Sequence, residues 1–246
     1  MSAFDLYARP SATFDAKVEL ALSLLRQTHE LHGAKAVQST SLGVEDMVVT
    51  DLLHRAGLPT ETATLDTQAL HAETLALIPQ IEARYGRPVT VFSPAQEAVV
   101  HFVRQHGERA MYESVELRKA CCQVRKMEPL ARMLAGRSAW ITGLRREQSA
   151  AREDAAAVEK DAQGRDKVSP LIDWTLGDVW HYVKLHAVPY NPLHDQFFPS
   201  IGCAPCTRAI AVGEDFRAGR WWWEQDGVKE CGLHAKSELP AASPLR

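Results

Sequence analysis

Apolar positions recur every three to four residues from Phe14 to Leu31, with Val18, Leu22 and Leu25 on one face, and predict a helix. Ala36–Thr40 then reads as a short strand running into Ser41-Leu42-Gly43-Val44-Glu45-Asp46 and a helix through Ala56. Thr60–Leu65 predicts a second strand with Asp66-Thr67 at its carboxyl end, and Ala72–Tyr85 a further helix. Val89–Phe92 and Ala139–Thr142 pattern as strands, with helices at Ala95–His106 and Pro129–Leu134 between them. Such alternation predicts an α/β fold, a mostly parallel sheet with helices on both faces. Ligands then bind beyond the carboxyl ends of the strands, where Ser41–Asp46, Asp66–Thr67 and Gly143–Arg152 all fall. Glu147–Gly164 is charged and Ala-rich and reads as a mobile loop. Thr175–Leu185 is a helix with Thr175 and Asp178 in a capping pattern. The pattern becomes irregular after Cys206, so the simplest division is a body over residues 1–215 and a tail over 216–246.

The 246 residues are 46% hydrophobic, enough for a substantial core. A net charge of −3 argues against general nucleic-acid binding but leaves room for local clusters of Arg and Lys around an anion. The apolar runs are too short to span a bilayer, so no membrane partner is expected. Residues 1–10 lack the order of a signal peptide. The expected location is the cytoplasm, where thiols stay reduced and paired cysteines suggest metal or redox work.

Five cysteines sharpen this picture. Cys121 and Cys122 are adjacent, Cys203 and Cys206 form a C-x-x-C pair, and Cys231 stands in Glu230-Cys231-Gly232-Leu233-His234. Four sulfurs can close a structural zinc site or an iron–sulfur site. Zinc needs them to converge on one ion, which suits adjacent side chains poorly because neighbours diverge in helix and strand alike. In a four-iron cluster each thiolate takes its own iron. Both alternatives stay open on spacing. A thioredoxin-like dithiol at Cys203-Ala204-Pro205-Cys206 is in the wrong context, since that pair should follow an early strand and open a helix. Cys231, with Arg217, Arg220, Lys229 and His234 in the surrounding sequence, is the candidate reactive thiol.

Basic loops add to this. The N-terminus of the helix after Ser41–Asp46 offers N–H groups to an anion, although the loop lacks the ending of a Walker sequence. Gly143-Leu144-Arg145-Arg146-Glu147-Gln148-Ser149, with Arg152 close behind, could hold phosphate or sulfate through bidentate contacts. Arg125 and Lys126 follow the paired cysteines directly. The ten histidines show no metal-ligand spacing.

These segments, together with Tyr190-Asn191-Pro192-Leu193-His194, Ser200–Arg208 and Arg217–Glu224, resemble the sulfonucleotide reductases, specifically the assimilatory adenylylsulfate (APS) reductases. The likeness runs from about Val37 to Lys236. It implies an adenine-nucleotide α-hydrolase-like fold and a [4Fe-4S] cluster on Cys121, Cys122, Cys203 and Cys206. It implies Cys231, Lys126 and His234 as catalytic residues, the first brought over the substrate by the tail. Ser41, Gly43, Asp66, Gly143, Arg145, Arg152, Arg217 and Arg220 are then expected to bind adenylylsulfate. Thioredoxin is the expected reductant, and a homo-oligomeric state stays open. The sequence departs from the family at Gln68, where Leu-Asp-Thr is usually followed by Gly, and Gln tolerates positive φ less well. PAPS reduction, an iron–sulfur RNA-thiolating activity and a zinc-stabilised binding module are the competing expectations.

Overall fold

A computed structural model describes residues 2–149 and 152–224. After a short N-terminal helix α1 (Ala3–Tyr7), α2 (Phe14–His32) buries Phe14, Ala21, Leu25 and Thr28 along one stripe. Val18 and Leu22 pack partly buried beside it. The alternation that follows is β1 (Ala36–Thr40), α3 (Val44–Arg55), β2 (Glu61–Leu65), α4 (Ala72–Leu75), α5 (Leu77–Tyr85) and β3 (Val89–Phe92). The chain continues through α6 (Gln96–His106), α7 (Val115–Cys122), a π-helical turn (Gln123–Met127), α8 (Glu128–Met133) and β4 (Ala139–Ile141). It finishes with β5 (Val158–Lys160), β6 (Asp166–Val168) and α9 (Leu176–His186). No helix among the described residues is long and apolar enough to cross a membrane.

The six strands lie in the order β3-β2-β1-β4-β6-β5, parallel except for the β5–β6 hairpin. The chain builds outward from β1 to β3, then crosses back to place β4 on the other side of β1. The strand order therefore reverses between β1 and β4, and the crevice beyond their carboxyl ends is the expected ligand position.

Both faces are covered, and β1 shows how. Val37 joins Leu130, Met133 and Leu134 of the α8 region in one core cluster. Its neighbour Gln38 points to the opposite face, as period-two geometry requires. There its Nε2 donates to the Asp46 carbonyl and to Thr50 Oγ1, both at 2.9 Å, and its Oε1 accepts from Thr62 Oγ1 at 3.1 Å. A fully buried amide thus ties α3 to the sheet without leaving a polar atom unsatisfied. The larger core, around Leu25, Met47, Leu52, Ile81, Trp180 and Tyr182, fills that side.

Two expectations needed correction. Glu147–Gly164 is not one loop, since it carries a 3-10 turn ending at Gln148 and the edge strand β5, paired to β6 through Glu159↔Lys167. The helix expected over Ala72–Tyr85 is two pieces, α4 and α5, meeting at Ala76. The capping box on α9 is present: Thr175 Oγ1 accepts from Asp178 N at 3.0 Å, and Asp178 Oδ2 accepts from Thr175 N at 2.9 Å.

Candidate active site

The β1–α3 connection turns sharply at Leu42, which takes a φ of 61° although buried. Left-handed backbone costs a non-glycine residue roughly 1–2 kcal/mol. A hydrogen bond donated by Leu42 N to the Thr40 side-chain hydroxyl Oγ1 (3.0 Å) and full burial of the Leu42 side chain offset that cost. Asp46, one turn into α3, then accepts from Ser41 N (2.6 Å), Ser41 Oγ (2.6 Å) and Gly143 N (2.7 Å). One buried carboxylate thereby joins the loop after β1 to the loop after β4. Burial pushes the Asp46 carboxyl above its ordinary range, while those donors pull the other way. Gly143 is required by the closeness of this joint. A Cβ there would stand 2.8 Å from Asp46 N, Asp46 Oδ1 and the Glu45 carbonyl carbon.

The cavity at this joint is lined by Ser41, Gly43, Glu45, Thr67, Gly143, Gln148 and His194 at one end. Lys126, Arg152, Arg217 and Arg220 stand in the same wall. Four cations against the carboxylates of Glu45 and Asp46 give the cavity an anion-attracting side. Arg152 donates to the Gln148 side-chain carbonyl, and Gln148 Nε2 donates to Glu45 Oε1 at 3.0 Å. Arg220 is 7% exposed, and its Nε finds no hydrogen-bond partner. A buried guanidinium with an unsatisfied donor in a cavity wall is a site prepared for an acceptor. His194 is also buried, and burial pushes its imidazole down to about 4, so the ring is neutral at pH 7.

Beside the cationic wall sit the thiols. Cys121 and Cys122 end α7, where the helix widens into the π-helical turn that carries Arg125 and Lys126. Such π turns recur at functional sites because they re-aim the side chains around them. Cys203 precedes, and Cys206 ends, a 3-10 turn held from three sides. Ala204 N donates to the Ala69 carbonyl (2.7 Å), the Tyr112 hydroxyl to the Pro205 carbonyl (2.6 Å), and Thr67 Oγ1 lies 3.2 Å from Cys203 Sγ. Cys121, Cys203 and Cys206 are buried in one cluster, Cys122 is half-buried, and all four are unbridged. Burial, reinforced by Cys203 and Cys121, pushes the Cys206 thiol up to about 12, and burial raises Cys121 likewise. Thiols so crowded are poor anions by themselves, and a metal centre that takes the place of their protons relieves the conflict. Among the described residues no group of three or more His, Cys, Asp or Glu closes around a single ion.

A family profile described as "Phosphoadenosine phosphosulfate reductase domain" matches residues 35–209, most of the chain. The chain belongs to the phosphoadenosine phosphosulfate reductase domain family. It is 50% identical to an adenosine 5'-phosphosulfate reductase of Allochromatium vinosum over 92% of this chain and 86% of the relative. Among solved structures, a phosphoadenylyl-sulfate reductase from Candida auris in a phosphate complex superposes with a TM-score of 0.64. Identity there is 26%, over 78% of this chain and 92% of that one. A Candida glabrata FMN adenylyltransferase shares the fold alone (TM-score 0.57, 15% identity, 98% and 84% covered).

Within this reductase-family fold, the expected residues separate into three groups. Ser41, Gly43, Gly143, Lys126, Arg152, Arg217 and Arg220 meet at the cavity, and the four cysteines lie close by. Arg145 and Asp66 do not line it. Arg145 is 2% exposed, and its donors are taken by Glu45 Oε1 (3.0 and 3.2 Å), Glu147 Oε2 (2.7 Å) and the Trp174 carbonyl (3.3 Å). It positions Glu45 from behind: burial alone would raise the Glu45 carboxyl, and Arg145 holds it below its ordinary value. Asp66 instead pins the turn, its Oδ1 accepting from Gln68 N at 2.8 Å. Gln68 adopts a φ of 56°, so the left-handed turn is made here without glycine. Cys231 and His234 lie outside the described residues. Residues 216–224, assigned to the tail by pattern, pack on the body, with Trp221 buried in the cysteine cluster. Sequence reasoning passed over Gln148, His194 and Trp221. The only available signal was their place inside segments quoted for the resemblance.

Proposed function

We propose that this protein reduces adenosine 5'-phosphosulfate to sulfite and AMP in sulfate assimilation. The observation that carries this is the cationic cavity wall of Lys126, Arg152, Arg217 and Arg220 at the β1/β4 crevice, directly beside four unbridged thiols. The 50% identity to a named APS reductase selects the substrate class. The Cys231 thiolate attacks the sulfur of the sulfo group, the sulfur–oxygen bond to phosphate breaks, and AMP leaves with the electron pair. A reduced dithiol protein, thioredoxin, then attacks Cys231 Sγ. Sulfite departs, and the second thiol closes the disulfide, so the dithiol supplies both electrons. The cations let an anionic nucleophile approach an anionic substrate and take up charge on the departing phosphate.

Cys121, Cys122, Cys203 and Cys206 are the residues that would hold a [4Fe-4S] cluster. When bound it ties the α7 segment to the Cys203 turn and adds an electrostatic centre near the substrate. Residues 216–246 carry the nucleophilic cysteine after a nucleotide-binding and iron–sulfur body over residues 1–215, and the protein works in the cytoplasm. Purified protein given APS, thioredoxin and thioredoxin reductase should release sulfite and AMP in equal amounts, with iron and acid-labile sulfide present and zinc absent. Release with PAPS but not APS would shift the substrate, and zinc in place of iron would remove the cluster.

A further inference from the structure

Trp221 is 1% exposed and holds a φ of 44°, a backbone conformation that a bulky residue adopts only under constraint. Two guanidinium groups lie over its rings: Arg118 Cζ at 4.5 Å and Arg220 Cζ at 4.7 Å from a ring centroid. They differ in what neutralises them. Arg118, on α7 three residues before Cys121, forms a buried two-point pair with Glu224, Nε to Oε1 and Nη2 to Oε2, the latter 3.2 Å. Among the described residues no carboxylate pairs with Arg220. Its Nη1 reaches only the Ile201 carbonyl (3.3 Å) and Ser200 Oγ (3.5 Å), and its Nε is unsatisfied. On another side of the same guanidinium stands Gly202, where a Cβ would come within 2.6 Å of Arg220 Cζ.

We propose that Trp221 is a positioning residue: with Gly202 it forms a slot that holds the Arg220 guanidinium in the cavity wall, its charge uncancelled and aimed at the anionic end of the bound nucleotide. The assignment rests on the cavity being a nucleotide site, as proposed above. An aromatic face can seat a buried cation without neutralising it, which a carboxylate cannot do. Arg118, paired with Glu224, also lies over the indole, so the slot is anchored to the helix that carries Cys121 and Cys122.

Binding of AMP and of adenosine to the iron-loaded full-length protein tests the slot, because only AMP carries the anionic group. Trp221→Leu should lose AMP affinity roughly tenfold, between the ranges for an exposed and a fully desolvated cation–π contact, while adenosine affinity changes less than twofold. Trp221→Phe, which restores an aromatic face, should recover AMP affinity to within about threefold of wild type. Gly202→Ala, which crowds Arg220 from its other side, should reproduce the selective loss and decides the matter if Trp221→Leu does not fold. Unchanged AMP affinity in these variants, or equal losses for AMP and adenosine, would overturn the slot. Wild-type protein that binds no AMP would overturn the nucleotide-site reading itself, and the slot with it.

Discussion

Replacing Gly143 with alanine attacks the joint at which the loop after β4 comes against the backbone of α3, beside the Arg145 and Gln148 bonds to Glu45. The added methyl would meet Asp46 N, Asp46 Oδ1 and the Glu45 carbonyl carbon at 2.8 Å, and all but the carboxylate oxygen are backbone atoms of α3, unable to swing aside. The loops must part by several tenths of an ångström, which stretches the 2.7 Å bond from Gly143 N to Asp46 Oδ1. A hydrogen bond to a charged group contributes about 1.5–3 kcal/mol, and forced overpacking costs about 1–3 kcal/mol. The two costs overlap, so the expected loss is about 3 kcal/mol. For a chain of this size that lowers Tm by roughly 6–12 °C. The catalytic consequence should be larger in proportion, since small displacements of positioned groups can cost about a hundredfold in rate. The assay is a thermal scan at fixed rate on iron-loaded protein, paired with kcat/KM for APS. A Tm within about 1 °C of wild type and an unchanged kcat/KM would refute the claim that Asp46 and Gly143 clamp the site.

Two further outcomes follow from local geometry. Gln68→Gly should raise stability by about 0.5–1 kcal/mol. Relief of a left-handed non-glycine residue exceeds the added unfolded-state entropy, and Gln68 is exposed, so little packing is lost; a drop in Tm would contradict this. Asp178 sits in the first turn of α9, where burial alone would raise its carboxyl. Bonds from Lys17 Nζ (2.7 Å), Ser11 N (2.7 Å) and Thr175 N (2.9 Å) instead hold it at about 2, well below the usual carboxylate range. A depressed acid contributes stability above its unfolded pKa and loses it as pH falls through the folded one. Asp178→Asn should therefore cost about 2 kcal/mol at pH 7, with the difference from wild type shrinking by roughly half at pH 3, read from urea titrations at both pH values. A difference independent of pH would show that charge is not what Asp178 contributes.

The parallel sheet was legible because short strand-like segments alternate with helix-period segments, and Ala36–Thr40, Val89–Phe92 and the strand at Ala139 fall where the pattern puts them. The β5–β6 hairpin escaped because both strands are three residues long, and the edge strand β5, with exposed Val158 and Lys160, carries no apolar face to detect. Which of the expected basic residues reach the cavity was not legible in the sequence. Arg145 and Arg152 look alike in sequence, and only the fold reveals that Glu45 and Glu147 consume the first while the second lines the cavity. His194 and Trp221 could not be singled out, since their roles arise from burial against partners far away in the chain. The π turn after Cys122 is likewise a tertiary outcome: nothing in Gln123–Met127 breaks a helix by propensity.

The most direct test of the chemistry is to mix iron-loaded protein with APS under anaerobic conditions without any reductant, then map modified peptides by intact mass and fragmentation. A sulfonate on Cys231, formed together with one AMP and removed on adding reduced thioredoxin, is the predicted result. Stoichiometric AMP release with Cys231 unmodified, or a sulfonate on one of the other four cysteines, would contradict it.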